Sequence, residues 1–533
     1  MSGSIAAATS WATPYLNQIS PYLPENVYGK AAVVALGLTL AHTVGLVIYR
    51  LAISPLAGFP GPWLAAVTGW HEFYYDFFKH GKFVFEVERM HAKYGPIVRI
   101  NPFELSIRDP EFYDQVYVAG SVRRTENYDT FARGIEFDGS HFLSTAHELH
   151  RKRRKPLEPF FSRLGITRLE SQIGELVQKL VGRFEALKGT GTVVRLDHAF
   201  LAFSGDVISM LCVHDPRHLL DSPNFAPEWF DLLHSVIKSL PLFMGFPFLI
   251  SIIRLIPESF LIWAHPRSQN FNNFKNMAEG HIVQAKNEKE QMGEKDTSST
   301  GGRITVFRHL VNSDLPQEEL SVERLSKEAQ VLLGAGTVST ARTLDFICYY
   351  ILADPSIRTR LQEELKDVTA GYPSKMPRWS ELEQCQFMQA VIKEGLRLSY
   401  GIMHRLPRVS PDVPLQFKQW KIPAGVPVGM SSYFQQTDPR VYPEPFAFRP
   451  ERWLSNVTQD MTRNFVPFSK GSRNCLGMNL AYAELNLVIA ALFRPGGPAF
   501  DLWQTDESDI IQAHDYMIPL PKLDTKGVRV IFY

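Results

Sequence analysis

The sequence predicts a mainly α-helical fold with a small β region, built as one large domain behind an N-terminal membrane anchor. Three observations lead there. About nineteen residues, Ala31 to Tyr49, run without a charge, close to the roughly 20 that cross a bilayer as a helix. Farther on, long stretches such as Val322 to Leu352 read as helix, whereas extended character is confined to short pieces, Pro96 to Pro102 and Glu104 to Arg108. Finally, no internal repeat divides the 533 residues, a length that would otherwise allow several domains.

Composition narrows the classes further. The formal net charge is +1, so nucleic acid is not an expected partner and any basic patch is local. The four cysteines stand far apart with no C-x-x-C, which indicates neither a zinc site nor a disulfide framework. That usage suits a reducing compartment. Cys212, Cys348 and Cys385 lie in apolar runs and read as core residues.

Taken in order, residues 1–30 form a tail without a basic start, so the apolar run over residues 31–50 reads as an anchor rather than a cleaved signal peptide. Its flanking charges, Lys30 and Arg50, tie, and charge alone does not set its orientation. Residues 51–63 hold Pro55, Pro60 and Pro62 among glycines, which stops a helix and makes a stiff hinge. The domain is expected over residues 64–533, opening with helices and the small hairpin around Ile97 and Leu105. His147 to Lys155 is a basic helix. Its second histidine comes one residue early for a zinc H-E-x-x-H, and His150 and Arg154 share one face. Leu240 to Ile253 is uncharged but broken by Pro241 and Pro247, too short and too broken to span a membrane. It reads as core packing or as an apolar lid. Gln284 to Arg303 turns polar and reads as an exposed, mobile connection.

The helix over Val322 to Leu352 stops at Asp354-Pro355. Its centre is Gly334-Ala335-Gly336-Thr337-Val338-Ser339-Thr340. Glycine inside a helix costs about 1 kcal/mol against alanine, which close helix packing or a flat ligand against the helix would explain. The Ser339 hydroxyl can bond back to the Ala335 carbonyl and loosen the turn. Farther on, Glu394 and Arg397 share a helical face.

The chemistry concentrates in Phe468-Ser-Lys-Gly471-Ser-Arg473-Asn-Cys475-Leu-Gly477. Glycines allow a tight loop under a flat ligand. Backbone N–H groups aimed at the Cys475 sulfur, and the positive end of the helix that follows, favour thiolate. Arg473 is placed to neutralise an anion beside it. A thiolate on a haem iron, with an arginine on a haem propionate, satisfies these features.

The spacing F-x-x-G-x-R-x-C-x-G, filled at Phe468, Gly471, Arg473, Cys475 and Gly477, resembles the haem-binding signature of the cytochrome P-450 superfamily. The resemblance extends over roughly residues 55 to 533. It implies that fold, haem with Cys475 as axial ligand, and insertion of one oxygen atom from O2 into a hydrophobic small molecule. Glu394, Arg397 and Arg452 match the family's charged triad. Arg405 falls where a propionate is often held, with Arg408 as second choice, and His150 and Arg154 fall where another propionate contact is made. Ala335, Gly336, Ser339 and Thr340 match the oxygen-binding motif, but Val338 stands at the position of its acid, so Ser339 retains a proton to offer and Val338 has none. The apolar run at Leu240 falls in the family's access region, and the basic helix could dock an acidic redox partner. The 58 residues after Cys475 leave no room for a flavin domain, so electrons are expected from a separate NADPH reductase. A body facing the cytosol from the endoplasmic reticulum membrane is implied by resemblance to microsomal members. Likeness to filamentous-fungal members of secondary metabolism implies a terpenoid or polyketide substrate. Two rival readings are a haem-thiolate isomerase or dehydratase that does not use O2, and a non-catalytic membrane haem protein.

Overall fold

The computed structural model describes residues 26–133, 137–246, 248–253, 255–264, 268–292 and 304–533. The tail expected over residues 1–30 lies almost wholly outside them. Asn26 caps the first helix, α1 (Val27–Ile48), accepting the Gly29 N–H on its side chain. That cap, rather than Lys30, sets the start, so the helix begins four residues before the uncharged run and takes Lys30 inside it. None of its residues is buried. Its 22 residues span ~33 Å, and with a π-turn through Ile53 it is the one described helix long and apolar enough to cross a membrane.

The proline-rich stretch is not a free tether. Arg99 donates from its backbone to the Pro60 carbonyl at 2.7 Å and from its side chain to the Arg50 carbonyl at 2.7 Å. The hinge is thereby laid along a five-stranded sheet made of β1 (Ile97–Arg99), β2 (Leu105–Ile107), β3 (Glu126–Asn127), β4 (Arg408–Val409) and β5 (Pro427–Gly429), in the order β1-β2-β5-β4-β3. The predicted hairpin is the β1–β2 pair, antiparallel with Val98 opposite Ser106. β2 joins β5 in parallel and the remaining pairs are antiparallel.

Helices make the rest. They include α2 (His147–Arg154), α3 (Arg163–Glu185), α4 (Leu196–Cys212), α5 (Pro227–Gly245), α6 (Ser268–Met292), α7 (Val322–Ala353), α8 (Gln386–Ser399) and α9 (Met478–Phe493). The largest core cluster runs through α3, α4, α7 and α9, and α4 lies along α7. Cys212, Cys348 and Cys385 are buried, as expected of core residues. Two readings are corrected. Gln284 to Met292, expected in a loose connection, completes α6, while residues 293–303 lie outside the described residues. The other concerns the basic stretch at α2, read as a basic helix able to dock a partner: Arg151 and Lys152 are outward, but His147 and His150 are buried.

Candidate active site

Cys475 sits at the start of α9, behind a 3-10 turn over Gly471–Arg473. Gly471 adopts φ +76°, and a Cβ there would run into the backbone carbonyls of Val118 and Tyr117, so only glycine fits. The loop is tied down at both ends, Ser472 N–H donating to Val118 O at 3.1 Å and Cys475 N–H to Phe468 O at 2.9 Å. Phe468 packs on Tyr482 of α9. Gly477 caps α9 and turns its N–H to the Cys475 sulfur. Unlike the other three cysteines, Cys475 is exposed. Enclosure by the surrounding protein nevertheless raises its thiol above the ordinary range, with the Gly477 N–H and the Arg154 charge pulling the other way. A metal ion bound at this sulfur would favour its deprotonated form, in the same direction as the Gly477 N–H and the Arg154 charge.

The arginines separate into two groups. Arg473 is buried and donates to the Ser144 and Thr145 carbonyls at 2.7 and 2.9 Å, leaving Nε without a partner. Arg408, also buried, donates to Asn127 Oδ1 at 2.8 Å. Neither has a carboxylate partner among the described residues, and burial together with the Arg408 charge lowers Arg473 to about 9. Buried cations without charged partners are costly, so an anion bound beside them would be favoured. Arg405, the first choice for that role, points elsewhere. It is clamped by Glu104 at 3.0 Å and Glu72 at 2.5 Å, both satisfied inside the protein, which leaves Arg408 as the arginine without a carboxylate. Arg154 is likewise engaged. It donates to Asn474 O at 2.6 Å and Asn474 Oδ1 at 3.0 Å and pairs with Glu158, so it braces the cysteine loop rather than projecting into the space beside it. His150 is buried with Nδ1 unpartnered, and burial and the charges of Arg473 and Arg154 hold it neutral, down to about 2.

The long helix α7 is capped by Ser321, which accepts the Arg324 N–H. Its centre is lined by buried Leu333, Thr337 and Val338, yet Ala335 is exposed and Ser339 half-buried. An exposed alanine in the middle of a core helix borders an internal space. Ser339 does bond back to Ala335 O, at 2.9 Å, but α7 stays regular through this turn, so the expected loosening is absent. Gly336 answers to packing, since a Cβ there would come within about 3 Å of the Ile208 side chain of α4, which would have to move to admit it. Thr340 is buried on the same helix. An apolar cluster of Phe131, Leu143, Leu240, Met244, Leu406 and Met517 adjoins Arg473 through Leu143 and Ser144.

Beneath the loop, the charged triad is assembled. Arg397 grips both oxygens of Glu394 at 2.7 and 2.9 Å, and Arg452 Nε reaches Glu394 Oε1 at 2.9 Å. Arg397 also ties down the carbonyls of Gln436 and Pro445. Sequence reasoning did not include Trp453, whose Nε1–H donates to Glu394 Oε2 at 2.8 Å, or the Arg449 N–H on Oε1. The aromatic directly after Arg452 was the available signal.

These residues fit an iron porphyrin. The cysteine sulfur is accessible at a helix N-terminus, two buried guanidiniums lack anions, and a small exposed alanine borders the space. The fold and site define a haem-thiolate protein, and the chain belongs to the cytochrome P-450 family, whose model matches residues 60–496. It is 60% identical to cytochrome P-450 monooxygenase oblB of Aspergillus clavatus over 97% of this chain and 100% of that protein. It is 58% identical to cytochrome P-450 monooxygenase oblB of Cochliobolus heterostrophus over 96% and 98%, and 51% identical to the fusicoccadiene C-8 hydroxylase of Phomopsis amygdali over 91% and 93%. The chain is a monooxygenase, an oxidoreductase acting on a small molecule.

Proposed function

We propose that this enzyme hydroxylates an apolar terpenoid skeleton, anchored in the endoplasmic reticulum membrane with its body in the cytosol and supplied with electrons by a separate NADPH reductase. The single observation that carries the site assignment is the pair Arg408 and Arg473, buried without a carboxylate beside the Cys475 loop. When bound, haem supplies the oxygen-activating chemistry that a thiolate ligand favours. The chain's own residues do the rest. Cys475 holds the iron, and Arg473 and Arg408 hold the propionate charge. Phe468, Gly471 and Gly477 shape the loop, and Glu394, Arg397 and Arg452 keep it in place. Ala335 leaves room beside α7, and Ser339, rather than Thr340, keeps a hydroxyl proton at Oγ for the reacting oxygen. The apolar cluster around Leu240 and Leu406 excludes water and takes the substrate's hydrocarbon face.

The terpenoid reading rests on that apolar lining and on relatives named for a diene hydroxylation. The anchor reading, for residues 31–50 with a hinge over 51–63 and the domain over 64–533, rests on α1 and on exposed Trp63, Trp70, Phe248 and Trp263, aromatic and apolar side chains of the kind found at a bilayer face.

Co-expression with a fungal NADPH reductase, in cells fed terpene hydrocarbons including fusicoccadiene, tests the reading. A hydroxylated product should form and should vanish in Cys475→Ala. Turnover that persists without NADPH would overturn the monooxygenase step in favour of an isomerase.

A further inference from the structure

Arg408 and Arg473 come from different parts of the chain, β4 and the cysteine loop, yet one residue reaches the supports of both. Asn127 stands on β3, opposite Arg408 in the antiparallel pair, and is buried. Its Oδ1 accepts from Arg408 Nη1 at 2.8 Å. Its Nδ2 donates to Phe142 O at 2.9 Å and to Ser144 O at 3.3 Å, and its backbone N–H donates to Thr145 O at 3.0 Å. Ser144 O and Thr145 O are the two carbonyls that hold Arg473. Asn127 therefore touches one guanidinium directly and both anchors of the other.

The amide can face only one way. A guanidinium only donates and a carbonyl only accepts, so Oδ1 is fixed on Arg408 and Nδ2 on the two carbonyls. Its neutrality matters as much as its reach. An aspartate of the same size would pair with Arg408 and offset its charge, and would set an acceptor against the Ser144 carbonyl. Asparagine orients the charge and leaves it uncompensated. The other hydrogen bonds of the Arg408 side chain among the described residues also go to neutral groups, the carbonyls of Leu406 and Pro407, and all leave from Nη1. Glu126, beside Asn127, acts on Arg473 through its charge but pairs with neither arginine among the described residues.

We propose that Asn127 is the positioning residue of the haem-side anion site: it holds Arg408 and Arg473 as a pair, both charges intact, for the propionate of the porphyrin. It touches no reacting atom and acts through the two arginines. This rests on the reading of those arginines as the holders of propionate charge.

The test follows haem transfer from the full-length, haem-loaded protein in detergent to excess apomyoglobin. The protein is produced in haem-deficient cells supplied with either haem or its dimethyl ester, in which both propionates are capped. Asn127→Asp should release haem roughly tenfold faster than the wild type, the order lost with one charge-assisted hydrogen bond. With the ester, variant and wild type should release alike, because no propionate charge remains to be held. Asn127→Ser, which removes the bridge and adds no charge, should follow the same pattern, and it decides if Asn127→Asp takes up no haem. A residue that only supports the fold would speed the loss of both pigments. Equal acceleration with both, an unchanged rate with haem, or two variants that take up neither pigment would overturn the proposal. Arg408→Leu checks the reading beneath it. If that variant retains haem like the wild type, the propionate reading fails. If it loses haem faster while neither Asn127 variant does, only the positioning role fails.

Discussion

Arg405 and Arg408 are three residues apart, and their surroundings give them opposite work. Arg405 faces two carboxylates and closes a network inside the protein. Arg408 lies near Arg473 and pairs with no carboxylate among the described residues, a setting that favours a bound anion. Arg405→Leu should therefore cost roughly 3–5 kcal/mol of folding stability, because it strands Glu72 and Glu104, and thermal unfolding would register it. Arg408→Leu should leave folding intact and lower the haem retained per protein, read from pigment absorbance after gel filtration. A result in which the two variants exchange effects would invalidate the assignment. Gly471→Ala belongs to the same scale. The added methyl meets the Val118 carbonyl at positive φ, so the loop must shift, and haem content should fall even though the cysteine remains.

At the scale of the element, α7 and α9 are held by contacts of different kinds. α7 depends on the close approach of Gly336 to Ile208, and Gly336→Val should push α4 and α7 apart at a cost of about 1–3 kcal/mol. α9 carries Glu484, fully buried, whose Oε2 accepts from Ser204 Oγ–H at 2.8 Å. Burial raises this carboxyl to about 8. Its folded value thus lies above its unfolded one near 4.5, so the native state keeps a proton that the unfolded chain releases. Stability falls as pH rises between those values, by up to about 1.4 kcal/mol per unit. Glu484→Gln keeps the Ser204 contact and removes the proton. Chemical denaturation at several pH values should show the variant gaining on the wild type from pH 5 to 8, and parallel curves would show that the carboxyl is not held protonated. The triad belongs here as well, because it joins α8 to the segment before the cysteine loop. Glu394→Gln breaks Arg397, Arg452 and Trp453 contacts together and should cost roughly 3–5 kcal/mol.

For the whole molecule, α1 is tied to the body beyond it. Arg50 is fixed to the Val67 carbonyl and over the Phe103 ring, while Arg99 holds the Arg50 carbonyl. The helix therefore leaves the body in a set direction. Removing residues 1–49 should release most of the protein from the membrane fraction on fractionation, while residual binding to lipid vesicles persists through Trp63, Trp70, Phe248 and Trp263. Loss of all vesicle binding would confine membrane contact to α1.

What could be read from the sequence follows a physical division. Local order was legible wherever it is set by local rules. The capped helix over Val322–Ala353, the hairpin at Ile97 and Leu105, the helix starting beside Cys475 and the pairing of Glu394 with Arg397 all follow from spacing and chain stiffness. A ten-residue loop with fixed glycines, arginine and cysteine also marked the family, because a tight turn at Gly471 imposes its residue type directly. Only the tertiary structure decided which arginine is left without a carboxylate, that Gly336 serves helix packing, that His150 lies in the interior, and that Val338 lines a cavity with residues from α4, α5 and the C-terminal segment. Each of those depends on what residues distant in the chain bring alongside, and a side chain's charge state and freedom are fixed by its neighbours in space rather than in sequence.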